Sequence, residues 1–331
     1  MQLEKKLKKD IKSILNQYSD FMIEFNSVFS LSFKTNIGLV DKIGAYLIQK
    51  KGKQIRPFLL ILSALSCNEI NKNVYNAAAA IELLHTATLI HDDVVDDSDI
   101  RRGFPTINKI WKNKTSILFG DYILSRALVI ATETQNLQML NLMSEVSNRM
   151  SQGELFQIEK IKKMDISEEE YFFLIKAKTA SLISASCEIG GLMAGADSIH
   201  LTKLRNFGEY LGQAFQIKDD LLDYAGNSKL LGKPVYADLK EKKITLPLIY
   251  SFENMPKSEV KKIKKMIKKG LTRNEANKII KVVHESGGFD KANNKARELS
   301  DKAIEEINGL PMENHKNSLK EIAGFVVTRD K

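Results

Sequence analysis

The sequence predicts an all-α protein, a single domain spanning residues 1–331 built as a bundle of long helices around a central apolar cavity. Three observations predict it. Apolar residues recur with the 3.6-residue helical period in nearly every segment, and alternating strand patterns are absent. Only 6 prolines and 18 glycines interrupt 331 residues, so the breaks are few and the helices long. No linker-like, low-complexity or repeated stretch divides the chain.

Taken in order, the first helix is expected over 3–30, an N-terminal helical extension. Its start, "MQLEKKLKKDIKSILNQYSDF", has no apolar core region and no small-residue cleavage site, and reads as a mature cytoplasmic N-terminus. Helices follow over 37–50, 55–68 and 73–98, the last apolar nearly all round as suits a central member. Two more are expected over 115–134 and 136–163. Ser167 with Glu170 fits a capping box opening 167–195, and 198–225 is the second helix that is apolar nearly all round. Helices over 243–253 and 258–269 come next. Thr272 with Glu275 fits another capping box opening 272–285, and helices over 287–307 and 314–328 complete the chain. The most apolar stretches, "AAAAIELLHTATLI" and "SLISASCEIGGLMAG", fall short of the roughly 20 residues that span a bilayer, so no transmembrane segment is expected.

A composition 43% hydrophobic is that of a soluble globular protein with a large core. Cys67 and Cys187 lie far apart with neither metal-like nor disulfide-framework spacing, and read as buried small hydrophobes in a reducing compartment. The net charge of +9 comes largely from Lys5 to Lys9 and from "EVKKIKKMIKKG" at 259–270. There Val260, Ile263 and Ile267 recur at helical spacing, which describes a helix with a solvated basic face; loose attraction to an anionic membrane surface is the alternative. No basic stretch is interleaved with aromatics, which argues against nucleic acid as a partner.

Both all-round apolar helices end in aspartates. Asp92 and Asp96 stand four apart with Asp93 beside them, and "QIKDDLLDY" repeats the pattern with Asp219, Asp220 and Asp223. Residues four apart share a helix face, so each set points one way. Carboxylates crowded at a helix C-terminus are disfavoured by mutual repulsion and by the macrodipole, and a cation is expected to offset both. Oxygen donors without a cysteine or histidine set favour Mg²⁺, which prefers a few carboxylates with water and substrate phosphates. The pair of clusters therefore predicts a pocket with a metal-binding rim, apolar walls and a metal-bridged diphosphate. A glycosidase would instead need one acid with a raised pKa in a polar cleft, and six aspartates around one mouth do not divide so simply.

Arg101 and Arg102 follow the first cluster after a short turn, where guanidinium forks grip phosphate oxygens bidentately. Further cations stand in "GKQIRP" (Lys53, Arg56), "KAKTA" (Lys178, beside Thr179), "LGKP" (Lys233) and "KKITLP" (Lys243). Together, "GKQIRP", "ELLHTATLIHDDVVDDSDIRRGFPT", "KTASL", "GQAFQIKDDLLD" and "KKITLPLI" resemble the trans (E-type) polyprenyl diphosphate synthases, from about residue 35 to the C-terminus.

The resemblance implies an isoprenoid-synthase fold, a homodimer, and Mg²⁺-dependent head-to-tail condensation of isopentenyl diphosphate with an allylic diphosphate. It implies three Mg²⁺ ions bound with the substrate diphosphate: Asp92 and Asp96, with Asp93 in support, on one side, and Asp219, with Asp220 and Asp223 supporting, on the other. Arg101, Lys178, Gln216 and Lys233 would address the allylic diphosphate, and Lys53, Arg56, His85 and Arg102 the isopentenyl diphosphate. Lys178, Thr179 and Lys243 match groups facing the developing carbocation, with Gln216 offering a further oxygen. The basic helix would then serve product delivery at a membrane surface.

Product length is read from the helix just before Asp92. Ala87 and Thr88, then Leu84 and Ile81, line the expected route of the tail, where bulky aromatics close the pocket in short-chain relatives. Small residues here predict a long product, hexaprenyl to decaprenyl, of the kind that serves quinones; a farnesyl or geranylgeranyl synthase is the alternative. A class I terpene cyclase and a non-catalytic subunit of a hetero-oligomeric synthase are further rivals, opposed by "DDLLD", "GKQIRP" and the full set of metal ligands. Three positions depart from the family pattern: Gln54 where arginine is common, and Tyr236 and Lys242 where glycine is common.

Overall fold

The computed structural model describes residues 11–225 and 236–329. The expected helical start at 3–10 and Lys233 lie outside them. The chain enters through α1 (Ile11–Gln17) and α2 (Ser19–Leu31), then α3 (Gly38–Gln49) and α4 (Ile55–Cys67). The long α5 (Lys72–Val95) leads to a ribbon of β1 (Ile100–Arg101) and β2 (Phe104–Pro105), followed by α6 (Ile107–Glu133) and α7 (Leu137–Lys163). Next come α8 (Glu168–Ile175), a π-helical segment (Lys176–Ala180), α9 (Ser181–Met193) and α10 (Ser198–Tyr224). The chain ends through α11 (Ala237–Lys240), α12 (Leu246–Glu253), α13 (Lys257–Lys269), α14 (Arg273–Glu285), α15 (Gly288–Glu306) and α16 (Glu313–Thr328).

Both expected capping boxes are formed: Ser167 and Glu170 exchange side-chain and backbone hydrogen bonds at the start of α8, as do Thr272 and Glu275 at α14. Helix α5 packs along α6 and is also flanked by α2, α4 and α9; α10 lies between α9 and α15. One continuous buried cluster runs from Ile14 to Val327. It includes the alanine run Ala77–Ala80, each 0% exposed, so α5 is enclosed on several sides. Small residues set the closest approach. A Cβ on Gly212 of α10 would sit 2.5 Å from the Ala180 Cα, so glycine there lets α10 press against the π segment.

The structure differs from the expected pattern in several places, among them the expected 3–30 helix, which is divided at Tyr18, and α11, which is not among the expected helices. The helix expected over 167–195 is broken by the π segment, where the Ser181 amide reaches back to the Lys176 carbonyl. The turn after Asp99 forms the β1–β2 ribbon, with Ile100 opposite Pro105 and Arg101 opposite Phe104. Helix α6 begins at Ile107 and not near 115, with a break at Lys112 (φ 71°, ψ 160°). It is also long and apolar enough, by length and composition alone, to cross a membrane, although one side of it packs on α5.

The two departures from glycine now have a geometry. Tyr236 (φ 72°) and Lys242 (φ 63°), on either side of α11, both hold left-handed backbone. A Cβ in that region costs about 1 kcal/mol relative to glycine. Lys242→Gly is therefore expected to raise unfolding free energy by about 1 kcal/mol, measured as a higher urea midpoint at unchanged slope.

Candidate active site at the carboxylate mouth

The C-terminal end of α5, the β1–β2 ribbon, the π segment, α10 and the loop after α11 meet around one mouth. Its carboxylates are not equivalent. Asp92 is pushed up to about 6 by burial, with Glu154 and Asp96 adding repulsion against the opposing pull of Lys178 and Arg101. Asp96 is exposed. Asp93 is 6% exposed and accepts from Arg101 Nε at 2.8 Å, so it fixes that arginine at the rim.

The arginines are separated by a tight turn. Arg102 (φ 52°) and Gly103 (φ 80°) are both left-handed, as a two-residue type I′ hairpin requires. Arg101 is drawn to Asp93, while the Arg102 guanidinium lies against Gly52. Thr106 Oγ1 donates to the Ser98 carbonyl at 2.7 Å, and Lys109 Nζ pairs with Asp99 Oδ2 at 2.9 Å, tying down both ends of the ribbon.

A cavity of about 100 Å³ opens on the Arg102 side, lined by Gly52, Glu82, His85, Arg101 and Arg102 together with Phe29 and Thr86. Arg56 is lowered to about 10 by burial, against the opposing charge of Glu82. Burial, then Arg56 and Arg102, hold His85 well below its usual range, so the ring is neutral. Arg56 Nη1 donates to His85 Nε2 at 2.9 Å, which leaves the ring proton on Nδ1. Among the described residues Arg56 Nε is buried without a hydrogen-bond partner. A buried guanidinium with a spare donor beside a second arginine is suited to a phosphate oxygen. Lys53 is exposed and faces a neighbouring small cavity lined by Phe215, Phe325 and Arg329.

On the other side a cavity of about 120 Å³ is lined by Lys178, Thr179, Gln216, Asp220 and Lys243, with Ile161, Leu174 and Ile244 as apolar wall. Thr179 Oγ1 donates to Gln216 Oε1 at 2.7 Å, and Gln216 Nε2 donates to Asp220 Oδ1 at 2.8 Å. Tyr171 donates to Asp220 Oδ2 at 2.6 Å. Asp220 is raised well above the carboxylate range by burial and by Asp238, despite these two donors. Lys178 Nζ bonds Glu154 Oε1 at 2.7 Å and lies 3.4 Å from Gln157 Oε1. Burial works against the charge on Lys243, yet Glu241, Asp238 and Asp96 outweigh it and keep the ammonium protonated.

The second aspartate cluster is divided in the same way. Asp219 is half-exposed and pairs with Arg329 at the C-terminal end of the chain. Both oxygens of Asp223 accept backbone amides of α11, from Ala237 at 3.0 Å and Asp238 at 2.9 Å, so it anchors the segment leading to Lys243. Ala87 (1% exposed) and Leu84 (2%) lie inside the bundle, and the Thr88 hydroxyl is turned back on the His85 carbonyl at 2.8 Å.

Sequence reasoning missed several residues: Glu82, Glu154, Gln157, Tyr171, Asp238 and Arg329. Glu154 and Gln157 are three apart on α7, a spacing that places both beside Lys178 but names no partner by itself. Asp238, five residues before Lys243, was the most legible of them.

An all-α bundle with carboxylates and cations gathered at the mouth of an apolar interior is the isoprenoid-synthase fold. The family model described as polyprenyl synthetase matches residues 38–284. The chain belongs to that family, as a prenyl-transferring enzyme. It is 36% identical over 310 residues to an octaprenyl diphosphate synthase of Escherichia coli, covering 94% of this chain and 96% of that one. A geranylgeranyl diphosphate synthase of Saccharolobus solfataricus is 32% identical over 311 residues, covering 90% and 92%. The crystal structure of a polyprenyl synthase from Caulobacter crescentus, complexed with calcium and isoprenyl diphosphate, superposes with a TM-score of 0.91 at 31% identity, over 97% of this chain and 98% of that one.

Proposed function

We propose that this enzyme condenses isopentenyl diphosphate head-to-tail with an allylic diphosphate and repeats the step to give a long all-trans polyprenyl diphosphate, hexaprenyl to decaprenyl, for quinone side chains. The observation that carries it is the arrangement of two cationic cavities on either side of the Asp92–Asp96 rim, one built on arginines and one on lysines with an apolar wall. Arg56, Arg102, His85 and Lys53 would take isopentenyl diphosphate. Arg101, Lys178, Gln216 and Lys233 would address the allylic diphosphate.

The donor set fits Mg²⁺. It consists of oxygens alone, and Asp92 is raised by burial and then by the like charges of Glu154 and Asp96. Among the described residues no three His, Cys, Asp or Glu groups converge into a finished metal site, so the remaining ligands would be phosphate oxygens and water. Asp92, Asp96 and Asp219 would hold the cations, which supply positive charge to the departing pyrophosphate. Asp93, Asp220 and Asp223 would support them by fixing Arg101, Gln216 and α11.

With the allylic C–O bond breaking, Lys178 and Lys243 add charge stabilisation to the pyrophosphate, which leaves with the bonding pair. The Thr179 and Gln216 oxygens, held together at 2.7 Å, present negative ends of dipoles to the carbocation. Ile161, Leu174 and Ile244 keep water from it. The double bond of isopentenyl diphosphate attacks the cation, and the proton then lost passes to the pyrophosphate.

Incubating the purified chain with Mg²⁺, farnesyl diphosphate and isopentenyl diphosphate tests this directly. Products of six to ten isoprene units are expected. A product stopping at geranylgeranyl length would make it a short-chain synthase, cyclisation without isopentenyl incorporation a terpene cyclase, and no elongation by the chain alone a subunit of a larger synthase.

Gly52 supplies a sharper check of the arginine side. A Cβ there would lie 1.8 Å from Arg102 Nη1, so Gly52→Ala must displace the guanidinium. The KM for isopentenyl diphosphate is expected to rise about tenfold, the worth of a displaced charge-assisted contact, with the allylic KM unchanged in steady-state kinetics.

The active form is proposed to be a homodimer. Ile117, Leu118, Leu128 and Val129 of α6, all beyond the break at Lys112, recur at eleven-residue intervals and are 42–60% exposed, forming an apolar stripe that a second copy would cover. Light scattering should give twice the chain mass. The lysine face of α13 is proposed to hold the cytoplasmic enzyme loosely at anionic membranes, which vesicle flotation at low and high salt would check.

A further inference from the structure

The loop joining α3 to α4 carries Lys51, Gly52, Lys53 and Gln54. Among the described residues, its four amides donate no backbone hydrogen bond. A loop without a backbone ladder takes its position from side chains. Two of them converge on one atom of the N-terminal helix α2: Asn26 Oδ1 accepts from Lys51 Nζ at 2.7 Å and from Gln54 Nε2 at 3.2 Å. The opposite end of the Asn26 amide is fixed as well, with Nδ2 donating to the Met22 carbonyl at 2.5 Å. Gln54 has little room to adapt, being 8% exposed and left-handed at φ 50°, ψ 44°.

Between the two tied residues lie Gly52, against which Arg102 rests, and Lys53. Gln54 is followed at once by the first turn of α4, which carries Arg56. Phe29, one turn beyond Asn26 on α2, lines the same cavity as Arg102 and His85. Helix α2, which precedes the quoted motifs, is thus part of the wall of the arginine-lined cavity.

We infer that Asn26 is a positioning residue for isopentenyl diphosphate, clamping the Lys51–Gln54 loop so that Gly52 and Lys53 stand in register with Arg56 and Arg102. The inference rests on the assignment of that cavity to isopentenyl diphosphate. Asn26 itself touches no substrate; it acts through the loop. A buried amide deprived of its acceptor is penalised by more than the net worth of the bond, so Gln54 must move when Asn26 is removed.

Asn26→Ala is expected to raise the KM for isopentenyl diphosphate about five- to twentyfold, with kcat and the allylic KM within about twofold of the parent. Asn26→Asp keeps an acceptor oxygen for both donors but loses the donor to the Met22 carbonyl, and is expected to restore the parent KM in part. In Asn26→Ala/Gln54→Ala the two effects should add incompletely, because both remove the Asn26–Gln54 contact while only Asn26→Ala also releases Lys51. An unchanged KM in Asn26→Ala, a parallel loss of kcat, both affinities and thermal stability, or an Asn26→Asp variant no better than Asn26→Ala would each overturn the inference. Calorimetric titration with inorganic pyrophosphate in the absence of magnesium reads the same loop without turnover. A fall in that affinity by the same factor supports the clamp even if the parent enzyme failed to incorporate isopentenyl diphosphate, which would overturn the assigned reaction alone.

Discussion

Asp92→Asn is expected to lower kcat by on the order of a thousandfold, the effect of removing a metal ligand that stabilises a leaving pyrophosphate, while leaving the fold as stable as before or more so. The two halves of this outcome have one cause. In the chain without a cation, Asp92 is an under-compensated carboxylate, pushed up to about 6 by burial, Glu154 and Asp96. An isosteric neutral amide removes that repulsion and keeps the shape, so thermal unfolding should not fall. Only the proposed interaction with a cation would be lost. Steady-state kinetics over a Mg²⁺ titration, paired with a melting curve, checks both. If activity and melting temperature fell together, Asp92 would be a structural residue of the rim.

The second large effect concerns product length. Ala87→Phe should convert a long product into one of geranylgeranyl length or shorter. Ala87 lies five residues before Asp92 on α5, 1% exposed, with Leu84 (2%) and Ile81 (0%) deeper on the same side. Each further turn of α5 gives a growing tail about 5.4 Å of depth, so a phenyl ring one turn below the rim ends the route early. Overpacking of this kind costs about 1–3 kcal/mol, which the large α5 contact surface should tolerate. Chromatography of the surviving product reads the length directly. An unchanged distribution would show that the tail leaves by another face.

Much of this was legible in the sequence because the helical period and the capping residues are local signals. Ser167–Glu170 and Thr272–Glu275 close their boxes, and most helices start and stop within a few residues of the expected bounds. The aspartates at the ends of α5 and α10, and Arg101 and Arg102 beyond α5, likewise announced a charged mouth. Partners contributed from a distance did not announce themselves. Nothing in the spacing of Asn26, Glu154 or Arg329 says that they reach Gln54, Lys178 and Asp219. Nor did "KAKTA" look like anything but helix, because its residues are ordinary helix formers. The π segment arises where that stretch meets α10 at Gly212, a matter of packing.

That segment constrains how the protein can change by insertion and deletion. A π turn is an α-helix with one residue too many, and such a surplus persists only where its removal is harmful. Deleting one residue from 176–180 would give a more regular helix, yet it would rotate everything on one side by about 100° relative to the other. Either α8 with Tyr171 or α9 with its buried face would lose its seat, and Thr179 would swing away from Gln216. Lineages descended from this chain can exchange residues within the segment, but its length is held fixed by the two helices that it keeps out of phase.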